Sequence, residues 1–139
     1  MQRQDHGQDE GLHEVEETGS YGEKQIARML RRHGMRFFYE HPVAVRDRGK
    51  VRVWYSDFWL PDVGIALEYA GIRGSEDYRK GIEHKKAVYQ ANGLSCVFLD
   101  LESMRGYWPG QVIQEILRTL EARLAYLDAL DEQRNSPRE

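Results

Sequence analysis

With 139 residues, 40% hydrophobic and 11% aromatic, the chain is long enough for one domain around one core. It has no run near the ~20 apolar residues a membrane span requires, and its polar, acidic N-terminus is unlike a signal peptide, so a soluble, cytoplasmic protein without membrane contact is expected. The single cysteine, Cys96, excludes an internal disulfide or a thiolate zinc site and reads as a small core residue within an apolar run.

The formal net charge of −3 is unevenly distributed. Residues 1–20 carry six acids and one Arg, whereas residues 21–52 carry nine Lys or Arg against Glu23, Glu40 and Asp47. Arg46, Arg48, Lys50 and Arg52 crowd together, a patch able to neutralise phosphates and steer a polyanion. Solvated charge runs are common, and the patch alone does not fix a partner.

Taken in chain order, residues 1–19 have almost no apolar residues and no periodicity and predict a flexible acidic tail. The domain is expected over 20–132, with a frayed tail at 133–139. Ile26, Ala27, Met29 and Leu30 repeat at helical spacing up to His33-Gly34. Strands are predicted at 37–39, at 43–45 after Pro42, and at 51–60, with a basic turn at 46–50. Pro61-Asp62-Val63-Gly64 is a strong turn sequence before a short strand at 65–69. A helix over Glu76–Ala91 stops at Asn92-Gly93 and is followed by a buried strand at 94–99. Pro109 then opens a long helix striped by Ile113, Ile116, Leu117, Leu120, Leu124 and Leu127. The order is α-β-β-β-α-β-α.

The turn fixes a register. If Leu60 faces Ile65, paired residue numbers sum to 125 and Asp57 falls opposite Glu68 on the same face, Cβ atoms roughly 5 Å apart. Carboxylates so placed repel unless a cation lies between them, and Mg²⁺ takes one or two carboxylates while keeping several waters. The competing reading is two acids facing solvent beside an Arg. Glu23 lies one turn before Ile26, on the inward side of its helix, but Ser20-Tyr21-Gly22-Glu23 also fits a capping box. Lys85 shares a stripe with Tyr78, Ile82 and Tyr89, where an ammonium group needs a counter-charge or must snorkel, as Lys86 beside it is expected to do.

Ser56-Asp57-Phe58-Trp59-Leu60-Pro61, Ile65-Ala66-Leu67-Glu68-Tyr69-Ala70-Gly71, and then Tyr78, Lys85, Tyr89 and Gly93 together resemble the motif run of the PD-(D/E)XK, restriction-endonuclease-like nucleases, particularly domains attached to DNA helicases. The resemblance covers residues 20–99. It implies an α/β fold with a central mixed sheet flanked by helices, and Mg²⁺ or Mn²⁺ held by Asp57, Glu68 and the Tyr69 carbonyl. It further implies assistance from Glu23 through water. The lysine expected two residues after the glutamate is Ala70 here, and Lys85 has the helical face to replace it.

The reading is a metal-dependent nuclease hydrolysing phosphodiesters in DNA, with junction, flap, nick and single strand all open as the substrate. Its catalytic residues would be Glu23, Asp57, Glu68 and Lys85, and Arg46, Arg48, Lys50 and Arg52 would grip the backbone. The alternative is an inactive nucleic-acid-binding module with the same fold. A homodimer through the C-terminal stripe would bring two sites to two strands.

Overall fold

The computed structural model describes residues 6–70, 76–100, 106 and 108–135. Its elements are α1 (His6–Thr18), α2 (Tyr21–Arg32), β1 (Phe38–Asp47), β2 (Lys50–Leu60), β3 (Ile65–Ala70), α3 (Glu76–Ala91), β4 (Ser95–Asp100) and α4 (Trp108–Asn135). The four strands form one mixed sheet in the order β1-β2-β3-β4. The first two pairings are antiparallel, and β3 runs parallel to β4. A parallel pair cannot be joined by a tight turn; α3 makes the crossover.

Residues 6–18 correct the expected flexible tail, because they form α1. Two apolar residues suffice: Val15 is fully buried and Leu12 packs beside it on the main core. A two-pronged Arg28–Glu16 contact of 2.7 and 2.8 Å ties α1 to α2. The α1-α2 corner is tight. Gly19 N donates to Val15 O at 2.8 Å, and a Cβ on Gly19 would lie 2.6 Å from that same oxygen. At the other end, residues 133–135 continue α4 where a frayed tail is expected, and 136–139 lie outside the described residues.

The separate strands expected at 37–39 and 43–45 are one strand. Pro42 does not divide them because β1 is an edge strand, where a missing N–H costs no ladder bond. The turn into β2 is Arg48-Gly49, with φ of 52° and 77°. Two consecutive left-handed residues give the hairpin turn whose twist matches its strands.

The sheet is covered on both faces. Phe58, Leu60, Ile65, Leu67, Val97 and Leu99 pack with Ile26, Ala27, Met29 and Leu30 of α2, with Val15, and with Val112 and Ile116 of α4. Val43, Val45, Trp54, Leu94, Cys96 and Phe98 pack with Val88 and Tyr89 of α3. Along β3, Ile65 and Leu67 belong to the first cluster, so Glu68, the next residue, projects toward α3. Among the described residues, no helix is long and apolar enough to cross a membrane.

Candidate metal and active site

The four-residue loop sets the register as its length requires. Leu60 O accepts from Val63 N at 3.3 Å and Gly64 N at 2.8 Å, and the ladder runs Leu60↔Ile65, Trp59↔Ala66, Phe58↔Leu67. Arg36 clamps the loop from outside, its Nη2 2.6 Å from Asp62 Oδ1. The next rung would join Asp57 to Glu68. There the backbone ladder gives way to side chains: Asp57 N donates to Glu68 Oε2 at 3.3 Å, and Tyr69 N donates to Asp57 Oδ2 at 2.8 Å.

The same position is open on the β1 side. Tyr39↔Phe58 and His41↔Ser56 pair normally, but the rung between them, Glu40 with Asp57, is missing. Glu40 has φ 50°, a sparsely populated conformation for a non-glycine residue and one often found at functional sites. Asp57 thus sits where the β2 backbone leaves its ladder with both neighbours, and its carboxylate takes the Tyr69 N–H of β3 instead.

Glu68 is 3% exposed, yet its charge is well provided for. Lys85 Nζ lies 3.2 Å from Oε2, and the Tyr89 hydroxyl donates to Oε1 at 2.7 Å. Tyr89 is fully buried, set edge-on to Trp54 at 5.7 Å and 89°. Its hydroxyl pKa is pushed far up, first by burial and then by the Glu68 carboxylate, so it stays a donor. The Lys85 side chain is 32% exposed, against 47% for Lys86, which turns to Glu83. Asp57 is raised from 3.8 to about 7, chiefly by burial and next by the charge of Glu68, with the Tyr69 N–H pulling the other way.

Glu23 fills the capping role expected of it. It closes the capping box with Ser20 (Ser20 N to Glu23 Oε1, 3.0 Å; Glu23 N to Ser20 Oγ, 3.2 Å). Its Oε2 accepts from the Tyr39 hydroxyl at 3.2 Å. Its charge adds a small upward push to Asp57. Gly22 beside it is required by contact: a Cβ there would fall 2.1 Å from Tyr69 Cζ, so the glycine lets the Tyr69 ring pass against α2.

The basic residues are elsewhere. Arg46, Arg48, Lys50 and Arg52 are exposed at the tip of the β1–β2 arm, roughly 20 Å along the strand from Asp57 at 3.3 Å per residue. Asn92 anchors that tip to the end of α3, accepting from Arg46 N at 2.8 Å and donating to Arg46 O at 3.0 Å. The sequence reading gave no site role to Tyr89 or Tyr39, because an aromatic residue on an apolar stripe reads as core. The signal for Tyr89 was its position one turn beyond Lys85. Gly71 and the Tyr78 side chain lie outside the described residues.

The donor set suits a hard divalent cation. Two carboxylates converge, and burial together with their mutual repulsion raises Asp57 well above the usual carboxylate range, a strain that a cation between them would relieve. Among the described residues no third His, Cys, Asp or Glu completes a cluster, so any further ligands would be backbone or water. A groove of about 1230 Å³ lined by β4, α4 and the end of α3 does not include Asp57, Glu68 or Lys85. The chain matches no known family model, no curated protein and no solved structure.

Proposed function

We propose that the protein is a Mg²⁺- or Mn²⁺-dependent nuclease of the PD-(D/E)XK kind, hydrolysing phosphodiester bonds in DNA. One observation carries the reading: Asp57 and Glu68 meet where β2 leaves its ladder, and Lys85 reaches the same carboxylate across 3.2 Å. When bound, a divalent cation would polarise the scissile phosphate and lower the pKa of the attacking water. The Asp57 and Glu68 carboxylates would hold it, together with the Tyr69 carbonyl.

The chain's own groups do the rest. Lys85 orients the water that attacks phosphorus and balances charge developing on the phosphoryl oxygens as the P–O bond to the leaving group breaks. Tyr89 and the Tyr69 N–H keep the two carboxylates in place. Glu23, fixed by its cap and by Tyr39, is placed to hold a water near Asp57. The arm bearing Arg46, Arg48, Lys50 and Arg52 contacts backbone phosphates without reading bases. One chain has one such site, so cutting two strands takes successive nicks or a second copy, for which the exposed Leu117, Leu124 and Leu127 of α4 offer a surface.

A second reading has its own support: Ala70 replaces the lysine of the motif, and both Glu68 oxygens already have protein partners. That reading is a binding module without hydrolysis. Incubation with duplex, branched and single-stranded DNA in Mg²⁺, Mn²⁺ and EDTA, beside Asp57→Asn, separates the two. Metal-dependent cleavage lost in the variant supports the nuclease; binding with no cleavage in either metal overturns it.

A further inference from the structure

A shallow groove of about 430 Å³ opens between β2 and α3, lined by Val53, Trp54, Tyr55, Gly81, His84 and Lys85. It adjoins the carboxylate site through Lys85, which lines the groove and pairs with Glu68. Gly81 is its least expected member. Glycine weakens a helix interior relative to alanine, and Gly81 lies in the middle of α3. Neither packing nor backbone geometry demands it there: among the described residues a Cβ at 81 would meet nothing within 4 Å, and its φ is not left-handed. Gly81 lines the groove, so a long side chain at this position would narrow it.

The walls are aromatic and cationic. Trp54 is held by edge contacts to Tyr89 and to His84 at 5.7 and 6.5 Å and is the aromatic wall, because its β2 neighbours Val53 and Tyr55 alternate to the other face of the strand. His84 Nε2 lies 3.1 Å from Asp47 Oδ2, which fixes its ring on the groove side of α3. Flat aromatic surfaces accept any base by stacking, and Lys85 suits the phosphate beside it. A base stacked inside a duplex cannot reach such a groove unless it leaves the stack.

We infer that this groove takes the unpaired base of the nucleotide next to the scissile phosphate, so that the substrate is a strand with at least one unstacked nucleotide. The inference rests on the nuclease reading of Asp57, Glu68 and Lys85 for the position of that phosphate.

The test uses the full chain with labelled single-stranded and blunt duplex oligonucleotides of one sequence. Binding is read by anisotropy in EDTA and cleavage in Mg²⁺. Gly81→Leu fills the groove and Gly81→Ala barely enters it. Wild type is expected to prefer the single strand, Gly81→Leu to lose about tenfold in single-strand affinity, on the scale of one lost base stack, and Gly81→Ala to lose little. An abasic nucleotide moved along the strand should weaken wild type at one position and leave Gly81→Leu unaffected there. This scan also tests the wild type by itself, whatever the folding of the variant. Equal single-strand affinity in wild type and Gly81→Leu, or a flat abasic scan, overturns the groove even where the enzyme cuts. A Gly81-dependent, position-specific effect without cleavage in Mg²⁺ or Mn²⁺ keeps the base groove and overturns the nuclease reading.

Discussion

Lys85 and Lys86 are neighbours with opposite fates, and the difference is one of helical phase. Lys85 is on the face that meets β3 and pairs with buried Glu68; Lys86 turns outward to Glu83 at 3.5 Å and lies over Phe98. That phase was legible in the sequence, since Ile82, Lys85 and Tyr89 follow a 3.6-residue period. The Tyr89 contact was not, because periodicity places a ring on the core side without revealing that its hydroxyl ends on a carboxylate. If Lys85 acts on transition-state charge, Lys85→Ala should slow cleavage by about 10² to 10³, the scale of one lost donor, with DNA binding retained. Lys86→Ala should have little effect. Ala70 follows Glu68 by two residues on β3, so Ala70→Lys in the Lys85→Ala background should recover part of the rate. Single-turnover cleavage assays read all three. A wild-type rate in Lys85→Ala would remove lysine from the chemistry.

At the scale of elements, the β2–β3 turn and the β1–β2 arm were readable for different reasons. Loop length dictates register, so Pro61-Asp62-Val63-Gly64 was enough to align Asp57 with Glu68. Left-handed backbone at a non-glycine residue leaves no such trace, and the opening at Glu40 was invisible. Equally hidden was α1, whose anchors are Val15, Leu12 and one ion pair to α2, too few apolar positions for a periodic signal. The arm carries its charge roughly 20 Å from Asp57, about six base pairs along a duplex. Its grip should therefore be purely electrostatic and separable from chemistry. Neutralising Arg48 and Lys50 together should flatten the slope of log affinity against log salt by about two units, one for each phosphate contact. Titrations at four or more salt concentrations measure it, and an unchanged slope would move the DNA surface off the arm.

For the whole molecule, the carboxylate pair is a local weakness that pH and metal should expose in opposite directions. In the metal-free protein Asp57 is raised from 3.8 to about 7. The folded state thus holds a proton that the unfolded chain gives up at lower pH. The stability this contributes is fully present below about pH 3.8 and is lost as pH rises through about 7. Other carboxylates titrate in the same range, so the informative quantity is the difference from Asp57→Asn, which keeps the shape and stays neutral. In EDTA, wild type should lose ground to Asp57→Asn steadily from pH 5 to pH 8. Adding Mg²⁺ or Mn²⁺ at pH 8 should reverse the order. A ligand at 100 times its Kd stabilises the folded state by about 2.7 kcal/mol, several degrees in Tm for a chain of this size. Asp57→Asn should gain far less, having lost one ligand and the repulsion that a cation relieves. Thermal melts of both proteins across pH, with and without metal, check each arm. An equal metal shift in the variant would place the cation away from Asp57, and a pH-independent difference in EDTA would mean that Asp57 ionises as readily in the folded protein as in the unfolded chain.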